Sequence, residues 1–452
     1  MSQIDTAFGT AIEKLWEGKK YNTLRDVMST LQPPQAAAVF LMLPENALAP
    51  LFRLLPKELA AETFVEMESE EQEKLIRSFS DTELRSVLDE LYVDDAVDLV
   101  EEMPANVVKR ILAQADPELR RSINELLQYP EDSAGSIMTT EFVALRPYMT
   151  AADALLSIRR TGTDKETVNT CYIIDSQRHL IGIVTLRQIV MAREDDTMEK
   201  LMERNVISVS TVEDQETVAK MFALYDFYVL PVVDKENRLV GIVTVDDAID
   251  VMEEETTEDV SKMAAITPGD KPYLKTSIME LFKSRVPWLL LLMLSSTFTG
   301  MIITHYEGVL AASIALTAAI PMLMGTGGNS GSQSSVTIIR SLSLEEVHFS
   351  DMFRIWWKEI RVAVLCGATL AVCEFFKLYL LDRTPPMVAL TIAVTLFATV
   401  CLAKFVGCTM PLLAKKLGFD PAVMASPFIT TIVDAMSLLI FCGVAGVVLQ
   451  VG

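Results

Sequence analysis

The chain has 452 residues, enough for two or three domains, and its charge is divided unevenly along its length. Residues 1–270 contain 26 basic and 51 acidic residues, a net charge of −25, whereas residues 271–452 contain 13 basic and 10 acidic residues, a net charge of +3. So acidic a first part repels nucleic acid and attracts cations, which excludes a nucleic-acid partner. Six cysteines without a CxxC pair predict neither a disulfide framework nor a zinc site. The first residues lack the basic and apolar regions of a signal peptide, so we expect the acidic part to be cytoplasmic.

The first predicted domain, residues 1–130, is all-α and acidic. A large apolar residue, or once Ala, recurs every twelve positions: Leu43, Leu55, Met67, Phe79, Leu91, Met103, Ala115 and Leu127. Pro follows three of these residues and suits the first turn of a helix, so each period predicts a helix of about ten residues and a tight turn. Such units bury their apolar faces on one another in a superhelical arrangement. An ordinary helical bundle is the alternative.

Residues 137–252 contain a duplicated α/β module. HLIGIVTLRQIV (179–190) and RLVGIVTVDDAI (238–249) match at a spacing of 59 residues, and each follows an apolar strand that ends in Asp. The repeated order of strand, turn, strand and helix resembles a tandem pair of CBS domains. That resemblance implies a regulatory module, and many CBS pairs bind an adenine nucleotide such as ATP; a pair without nucleotide is the alternative. The candidate nucleotide-binding residues are Arg187, Phe227 and Asp247.

An acidic helix is predicted to join the soluble part to the membrane part. The run DDAIDVMEEETTEDVSKM (246–263) continues the last helix of the second repeat, and residues 253–280 are assigned to this connecting helix and its linker. Carboxylates three or four residues apart share a helix face and repel one another. Hard divalent cations bind oxygen ligands and would relieve this repulsion. With further carboxylates in the helical domain, the run favours a cation sensor over a merely solvated acidic face.

Residues 281–452 are predicted to form an all-α transmembrane domain with five helices. Each helix is long and apolar enough to cross a bilayer. The predicted spans are about 286–304, 309–335, 361–381, 387–413 and 422–450. Lys and Arg concentrate before the first span and in the loops that join the second to the third and the fourth to the fifth. The positive-inside rule therefore predicts a multi-pass protein of the cell (inner) membrane with a cytoplasmic N-terminus and an external C-terminus.

The second predicted span ends in a Gly-rich polar segment, GTGGNSGSQS (325–334), which contains Asn329. Irregular backbone at membrane depth is tolerated only where protein or a water-filled cavity surrounds it. We therefore expect this segment to leave ordinary helical geometry and to line a wet path. Close helix packing through small residues is the structural alternative.

The fifth predicted span carries a single charge. Asp434 is the only charged residue of 422–452, and Thr430, Thr431 and Ser437 share its helix face. An Asp at the centre of a spanning helix costs about 2.5–3.5 kcal/mol on insertion scales, so its default interpretation is functional. The structural alternative pairs Asp434 with Lys404 of the fourth span, unless Lys404 extends to the inner surface.

The order of an acidic helical domain, a CBS pair, an acidic connecting helix and five spans resembles the MgtE family of magnesium channels. GTGGNSGSQS (325–334) and FDPAVMASPFITTIVD (419–434) are similar to the two membrane signatures of that family. The resemblance implies a homodimer whose pore lies on the two-fold axis, with Asp434 of both subunits holding a largely hydrated Mg²⁺. It also implies that the connecting helix is a plug and that Mg²⁺ bound to the cytosolic domains closes the pore.

The residue patterns and the resemblance together give the candidate site residues. The predicted pore residues are Asp434, Thr430, Thr431, Asn329 and Ser426. Some family members carry Asn where this chain has Ser426, so this position bears on the choice of ion. The predicted regulatory Mg²⁺ ligands are Asp94, Asp95, Asp98, Glu216, Asp226, Asp246, Asp247, Asp250, Glu255, Glu258, Asp259 and Asp420.

The function predicted from the sequence is Mg²⁺ uptake through a Mg²⁺-selective channel that cytosolic Mg²⁺ closes. Mg²⁺ keeps several waters and is usually bound through one or two carboxylates, which suits Asp434 presented twice by symmetry. The inside-negative membrane potential contributes about 2.3 kcal/mol per charge per 100 mV, enough to drive entry. A coupled transporter or exchanger of Mg²⁺, Co²⁺ or Mn²⁺ and a non-transporting sensor are the alternatives. The sequence contains no P-loop and no phosphorylation-type Asp motif, and its three His are scattered, so no enzyme is predicted.

Overall fold

The chain forms a multi-domain structure, which a computed structural model describes for residues 6–269, 273–424 and 426–449. It divides into two compact units, residues 1–252 and 253–452. The first unit holds a helical domain followed by two three-stranded sheets, and the second holds long apolar helices. The predicted fold class is therefore confirmed: an all-α domain, an α/β pair and a helical domain with apolar helices.

The helical domain begins with α1 (Thr6–Glu17) and α2 (Tyr21–Met28), after which a helix starts every twelve residues. The repeating helices are α3 (Pro33–Met42), α4 (Glu45–Phe52), α5 (Lys57–Val65), α6 (Ser69–Ser78), α7 (Asp81–Leu88), α8 (Val93–Glu102), α9 (Ala105–Gln114) and α10 (Pro117–Leu126). Helices two apart in the chain pack on each other, as α3 does on α5 and α5 on α7. This arrangement agrees with the twelve-residue periodicity of the sequence.

The apolar ladder that predicted these helices lies in the core. Its members from Leu43 to Ala115 are buried, because each follows the end of one helix and is covered by neighbouring repeats. Leu127 is different, with 37% of its surface exposed, and the prediction of an eighth buried rung is wrong. It follows α10, the last helix of the repeat, so no further repeat covers it.

The two sheets share one topology, in which the first strand is parallel to the second and the second is antiparallel to the third. The elements of the first repeat are β1 (Phe142–Leu145), α11 (Ala151–Thr161), β2 (Thr167–Ile174), β3 (Leu180–Thr185), α12 (Leu186–Met191) and α13 (Met198–Leu201). Those of the second are β4 (Val209–Ser210), α14 (Gln215–Tyr225), β5 (Val229–Val233), β6 (Leu239–Thr244) and α15 (Val245–Met263). The sequence predicted the two long strands and the following helix of each repeat, and it missed the short strands β1 and β4.

A Gly occupies the same place in the third strand of each sheet because another backbone segment approaches it closely. A Cβ on Gly182 would lie 2.9 Å from the carbonyl oxygen of Glu203, and a Cβ on Gly241 would lie 2.8 Å from that of Thr139. Real Cβ atoms essentially never come this close to backbone atoms. The Gly seen twice in the duplicated motif is thus required by packing within the pair.

The second unit is built from long helices. They are α16 (Ile278–His305), the short α17 (Glu307–Leu310), α18 (Ile314–Ser343), α19 (Met352–Phe376), α20 (Pro386–Leu417) and α21 (Ser426–Leu449). By length and composition, the segments that could cross a membrane within the described residues are Ile278–His305, Phe349–Leu381, Pro386–Leu417 and Pro421–Leu449. The second predicted span, 309–335, falls on α17 and α18. Its Gly, Ser, Asn and Gln residues lower its hydropathy, so a fifth span stays a prediction.

The Gly-rich segment 325–334 is regular helix inside α18, and the expectation of irregular backbone there is wrong. Its glycines provide close contacts between helices: a Cβ on Gly407 of α20 would overlap the carbonyl oxygen of Gly331 of α18. A Cβ on Gly331 would also lie 3.2 Å from the carbonyl oxygen of Ala403. Small residues let helices approach this closely within a membrane, which is the structural alternative weighed above.

This contact makes a testable prediction about stability. We expect Gly407→Ala to lower the thermal unfolding midpoint of the detergent-purified chain, because forcing a methyl group into a close-packed contact costs about 1–3 kcal/mol. Gly300→Ala in α16 is the matched control, since nothing in the described structure lies within 4 Å of a Cβ placed there. Equal midpoints for the two variants would contradict the close approach of α18 and α20.

Candidate functional site

Asp434 lies in α21, one turn after Thr430 and Thr431. The hydroxyls of both threonines donate to the carbonyl oxygen of Pro427, at 2.9 and 3.0 Å, which leaves their oxygen lone pairs available as acceptors. The side chain of Asp434 is half-buried and makes no hydrogen bond or ion pair with the rest of the described chain. A carboxylate without a partner inside an apolar helix is a candidate cation ligand.

The alternative in which Lys404 pairs with Asp434 does not hold. Lys404 of α20 is 5% exposed, and its Nζ donates to Ser334 Oγ of α18 at 3.3 Å. It therefore neither extends to a membrane surface nor forms an ion pair with Asp434 among the residues that the structure describes.

The Gly face of α18 packs on the turn of α21 that precedes and contains Asp434. A Cβ on Gly328 would lie 2.8 Å from Thr430 Cγ2, and one on Gly327 would lie 3.3 Å from Ser437 Oγ. Ser437 is 1% exposed, and its hydroxyl has no hydrogen-bond partner in the described structure. Ser437, which the sequence predicts on the same helix face as Asp434, is thus buried against α18, where the glycines leave room for it.

Asn329 has different neighbours from Asp434 within one copy of the chain. It lines a cavity of about 490 Å³ between α18, α19 and α20. The other lining residues are Thr326, Ser330, Gln333, Leu365, Cys366, Thr369, Leu370 and Lys404. Asp434 is not among the residues that line this cavity. The side chain of Ser426, the remaining predicted pore residue, lies outside the described residues.

In the first unit, carboxylates of α8 and of the first turn of α15 form a cluster. Burial raises the pKa of Asp94 to about 7, and the charge of Asp95 adds to this effect. Burial and the charges of Asp247 and Asp246 raise the pKa of Asp95 to about 7. Burial and the charge of Asp94 likewise raise the pKa of Asp247 to about 7. The structure thus brings together predicted regulatory residues that lie about 150 positions apart in the chain.

Two further carboxylates belong to this cluster. Desolvation and the charges of Asp94 and Asp247 raise the pKa of Asp98 to about 8, although part of its side chain remains exposed. Burial and the charge of Asp94 raise the pKa of Glu166 to about 8, and Glu166 Oε2 is buried without a hydrogen-bond partner in the described structure. Sequence reasoning missed Glu166, because an isolated Glu before β2 gives no signal of α8, which lies some seventy residues earlier.

The donor set of this cluster suits a hard divalent cation. The cluster offers carboxylate oxygens, which are ligands that bind Mg²⁺. One of them, Glu166 Oε2, has no hydrogen-bond partner in the described structure. No group of three or more His, Cys, Asp or Glu in residues 6–269, 273–424 and 426–449 has the geometry to hold a metal ion directly. The carboxylates are thus close enough to raise one another's pKa but do not form a closed coordination shell, and the water that Mg²⁺ retains would complete one.

The remaining predicted regulatory residues of the first unit have other recorded neighbours. Glu216 of α14 is paired with Lys220 at 2.7 Å. Asp226 ends α14 in the left-handed conformation, with φ of 55°. The pKa of Glu66 is raised by burial and then by the charge of Asp250, which places Asp250 beside α5.

Asp247 also has a local structural role. Thr244 Oγ1 donates to Asp247 Oδ2 at 2.6 Å and caps the start of α15. In the first repeat Thr185 Oγ1 donates to Gln188 Oε1 at 2.9 Å in the same way. The residue three positions after the Thr of each repeat is thus a capping residue, a role that sequence reasoning missed.

The other two candidate nucleotide residues lie in different repeats. Arg187 is exposed on α12. Phe227 stacks on Tyr225, with ring centroids 5.2 Å apart, just after α14.

In the second unit, a lysine lies between two predicted metal ligands. Lys262 Nζ of α15 contacts Glu258 Oε1 at 2.6 Å and Asp420 Oδ2, just before α21, at 2.8 Å. Burial would lower the pKa of Lys262, but the hydrogen bonds to Asp420 and Glu258 outweigh it and raise this pKa. The sequence did not predict this ammonium, because Asp420 lies far along the chain. Glu255 and Asp259 lie on the same helix.

Apolar helices that could span a membrane, one of which carries a carboxylate without a partner in the described structure, are joined to an acidic helical domain and an α/β pair. Together they define a multi-pass membrane protein. Three family models match the chain: MgtE, a divalent cation transporter, at residues 320–444; the MgtE intracellular N domain at 31–132; and the CBS domain at 134–195 and 198–254. The chain therefore belongs to the MgtE family of divalent-cation transporters.

Curated relatives agree over most of the chain. It is 38% identical over 442 residues to the magnesium transporter MgtE of Thermus thermophilus, covering 97% of each chain. It is 32% identical over 430 residues to the magnesium transporter MgtE of Bacillus subtilis, covering 94% of each. These relatives are transporters, not enzymes.

Solved structures are similar to the first unit. A crystal structure of the cytosolic domain of the Mg²⁺ channel MgtE in complex with ATP has a TM-score of 0.51 and 36% identity, covering 54% of this chain and 99% of that one. The soluble part of a magnesium transporter has a TM-score of 0.51 and 30% identity, covering 55% of this chain and 97% of that one.

The acidic cluster of α8, α15 and Glu166 predicts linked effects of pH and Mg²⁺ on stability. The pKa values of Asp94, Asp95, Asp247 and Glu166 lie at about 7 to 8 in the folded chain, whereas free carboxyls titrate near 4. Folding therefore favours the protonated groups, and stability falls as pH rises from about 4 to about 8. We expect Mg²⁺ to raise the unfolding midpoint of the full chain in detergent more at pH 8.5 than at pH 6. For a unit of this size, each kcal/mol of stabilisation raises the unfolding midpoint by about 2–4 °C.

Asp247→Asn should reduce this difference between the two pH values. Glu199→Gln is its control, since Glu199 is an exposed carboxylate that pairs with the exposed Arg204. An equal Mg²⁺ effect at both pH values in the unsubstituted chain would show that these carboxylates do not bind the ion.

Proposed function

We propose that the chain is a homodimeric, Mg²⁺-selective channel that admits Mg²⁺ into the cytoplasm across the cell inner membrane and is closed by Mg²⁺ on its cytosolic side. The observation that carries this proposal is Asp434, a half-buried carboxylate without a partner in the described structure, in an apolar helix beside the Gly face of α18. The relatives named as magnesium transporters support the choice of ion.

The proposed ion path runs between α18 and α21 of two copies of the chain. Mg²⁺ holds its water tightly and needs few protein ligands, so two copies of Asp434, with the lone pairs of Thr430 and Thr431 nearby, suit a largely hydrated ion. Ser426 and Asn329 extend this polar surface in the dimer. One set of these helices encloses a pore poorly, and an isologous dimer completes it by symmetry.

Exposed polar residues on α18 favour a second copy over lipid as its neighbour. Asn329 and Gln333 are exposed in a single chain, and polar side chains within a span face protein or water rather than acyl chains. The Lys and Arg bias supports a cytoplasmic N-terminus and an external C-terminus. In this orientation the membrane potential drives Mg²⁺ inward.

Closure by Mg²⁺ follows from the two acidic groups. One regulatory Mg²⁺ site would be formed by Asp94, Asp95, Asp98, Asp246, Asp247 and Glu166. A second would be formed by Glu255, Glu258, Asp259 and Asp420. One helix, α15, carries members of both. At low Mg²⁺ their mutual repulsion favours an open state, and bound Mg²⁺ favours the state in which the carboxylates lie close, a population shift driven by differential affinity.

ATP is proposed as a second cytosolic ligand, held by the CBS pair. The supporting observation is the ATP complex of the cytosolic domain that is 36% identical to this chain. Of the candidate residues Arg187, Phe227 and Asp247, the last also belongs to the acidic cluster, so ATP would act on the same first turn of α15.

The pore proposal predicts the effect of removing Asp434. Asp434→Ala and Asp434→Asn should each reduce Mg²⁺ flux into liposomes by more than about tenfold, or about 1.4 kcal/mol, because the pore loses both of its carboxylates. Glu374→Gln is the control, since Glu374 forms an ion pair with Lys377 at 3.1 Å near the end of α19. Normal flux through the Asp434 variants would remove the pore assignment.

The closure proposal predicts a channel that stays open. Combined Asp247→Asn, Glu258→Gln and Asp259→Asn should leave Mg²⁺ currents active at Mg²⁺ concentrations that close the unsubstituted channel, because the neutral side chains bind Mg²⁺ too weakly for the ion to favour the closed state. The control combines three exposed carboxylates outside the acidic groups: Glu13→Gln, Glu199→Gln and Glu236→Gln. If the first triple variant closes at the same Mg²⁺ concentration as its control, the sensor lies elsewhere.

A further inference from the structure

A chain of hydrogen bonds, buried at Lys404 and Ser334 and partly exposed at Glu359, joins α18, α19 and α20. Lys404 Nζ of α20 donates to Ser334 Oγ of α18 at 3.3 Å, and Ser334 Oγ donates to Glu359 Oε2 of α19 at 2.7 Å. Lys404 is 5% exposed and Ser334 is 2% exposed. Two opposite charges on neighbouring helices are thus connected through one hydroxyl on a third helix.

This arrangement contributes little to stability as such. Charges buried away from water lose their hydration, and a well-packed apolar pair of the same volume is often as stable or more so. Removing only one member, in contrast, leaves the other charge buried and uncompensated. We therefore look for the role of these two charges in the relative orientation of the helices that carry them.

Lys404 and Glu359 lie near a glycine contact that does not by itself fix the rotation of the helices about their axes. Ser334 is one helical turn from Gly331, and Lys404 is one turn from Gly407, the two glycines whose backbones meet. Glycines allow a close approach, but they have no side chains that would resist rotation of one helix against the other. The hydrogen bonds of Ser334 to residues of both α19 and α20 supply that resistance. The neighbouring Ser335 also donates to the carbonyl oxygen of Met424, just before α21, at 3.4 Å.

The rotation of α18 decides which of its side chains meet α21. In the observed rotation Gly327 and Gly328 face the turn around Thr430 and Asp434, and Asn329 and Lys404 line the neighbouring cavity. A turn of α18 by one residue, about 100°, would replace the glycines with bulkier side chains.

We propose that Lys404 and Glu359 are positioning residues for ion permeation: through Ser334 they fix the rotation of α18 about its axis and so its placement beside Asp434. They touch no permeating ion in this role. The inference rests on the proposed function, because permeation is its readout, and it adds a determinant of ion selectivity that lies off the path.

The test measures the Mg²⁺ flux into liposomes and the bi-ionic reversal potential between Mg²⁺ and K⁺. Lys404→Met and Glu359→Gln should each lower the Mg²⁺ to K⁺ permeability ratio by at least about tenfold, because a rotated α18 misplaces the ion site. The exchanged pair, Lys404→Glu with Glu359→Lys, should restore much of the ratio, since it rebuilds opposite charges on either side of Ser334. A merely structural role would lower the amount of folded protein and leave the reversal potential of the remaining channels unchanged.

Lys377→Met with Glu374→Gln is the matched control, because it removes an ion pair of the α19 end that has no contact with Ser334. Ser334→Ala removes the connecting hydroxyl but neither charge and should also shift the reversal potential, so it decides the question if a single charge variant does not fold. Unshifted reversal potentials in all folded variants, or an exchanged pair no better than the single variants, would overturn the proposal. Asp434→Ala and the unsubstituted chain are measured in parallel: absent Mg²⁺ flux in the latter overturns the proposed function itself, whereas normal flux with unaffected Lys404 variants overturns only the positioning role.

Discussion

The backbone contact between α18 and its neighbours is the constraint on which the membrane part depends. Gly331 and Gly407 meet without side chains between them, and Gly327 and Gly328 seat α18 on the turn of α21 that carries Thr430 and Asp434. The polar residues of α18 do not interrupt its regular helix, in which the backbone groups bond to one another. Asp434 has no partner in the described structure, so the energetic cost of burying the carboxylate has an explanation if a cation passes there.

In the acidic part, carboxylates lie close enough together that each makes ionisation of its neighbours less favourable. The carboxylates around α8 and the start of α15 hold their pKa values at about 7 to 8. Near neutral pH these carboxyl groups are therefore partly protonated, and a bound cation would compete with the proton. Near the other end of α15, Lys262 supplies an ammonium between Glu258 and Asp420. At the start of α15 the carboxylates have no cationic side chain among the groups named here, whereas near its end Lys262 pairs with two of them. This difference suits a helix whose first turn responds to cation concentration.

Much of the fold was predictable because its signals are local and repeated. The twelve-residue spacing fixed the helix starts from Pro33 to Pro117, and the duplicated motif gave the long strands of both sheets. The sites were harder to predict, since their members come from distant segments. No pattern near Glu166 indicates α8, and nothing near Lys262 indicates Asp420. Helical spacing placed Ser437 on the same face as Asp434, but only the glycines of α18 decide that Ser437 is buried.

Single-channel recording of the full chain in a planar bilayer, with Mg²⁺ varied on the cytoplasmic side and no pH or Na⁺ gradient, tests most directly whether the chain is a Mg²⁺ channel under cytosolic control. A Mg²⁺ channel gives unitary currents that reverse at the Mg²⁺ equilibrium potential, and its openings become rarer as cytoplasmic Mg²⁺ rises. Absence of unitary currents under these conditions, with Mg²⁺ movement that begins only when an H⁺ or Na⁺ gradient is imposed, would contradict the channel and indicate a coupled exchanger.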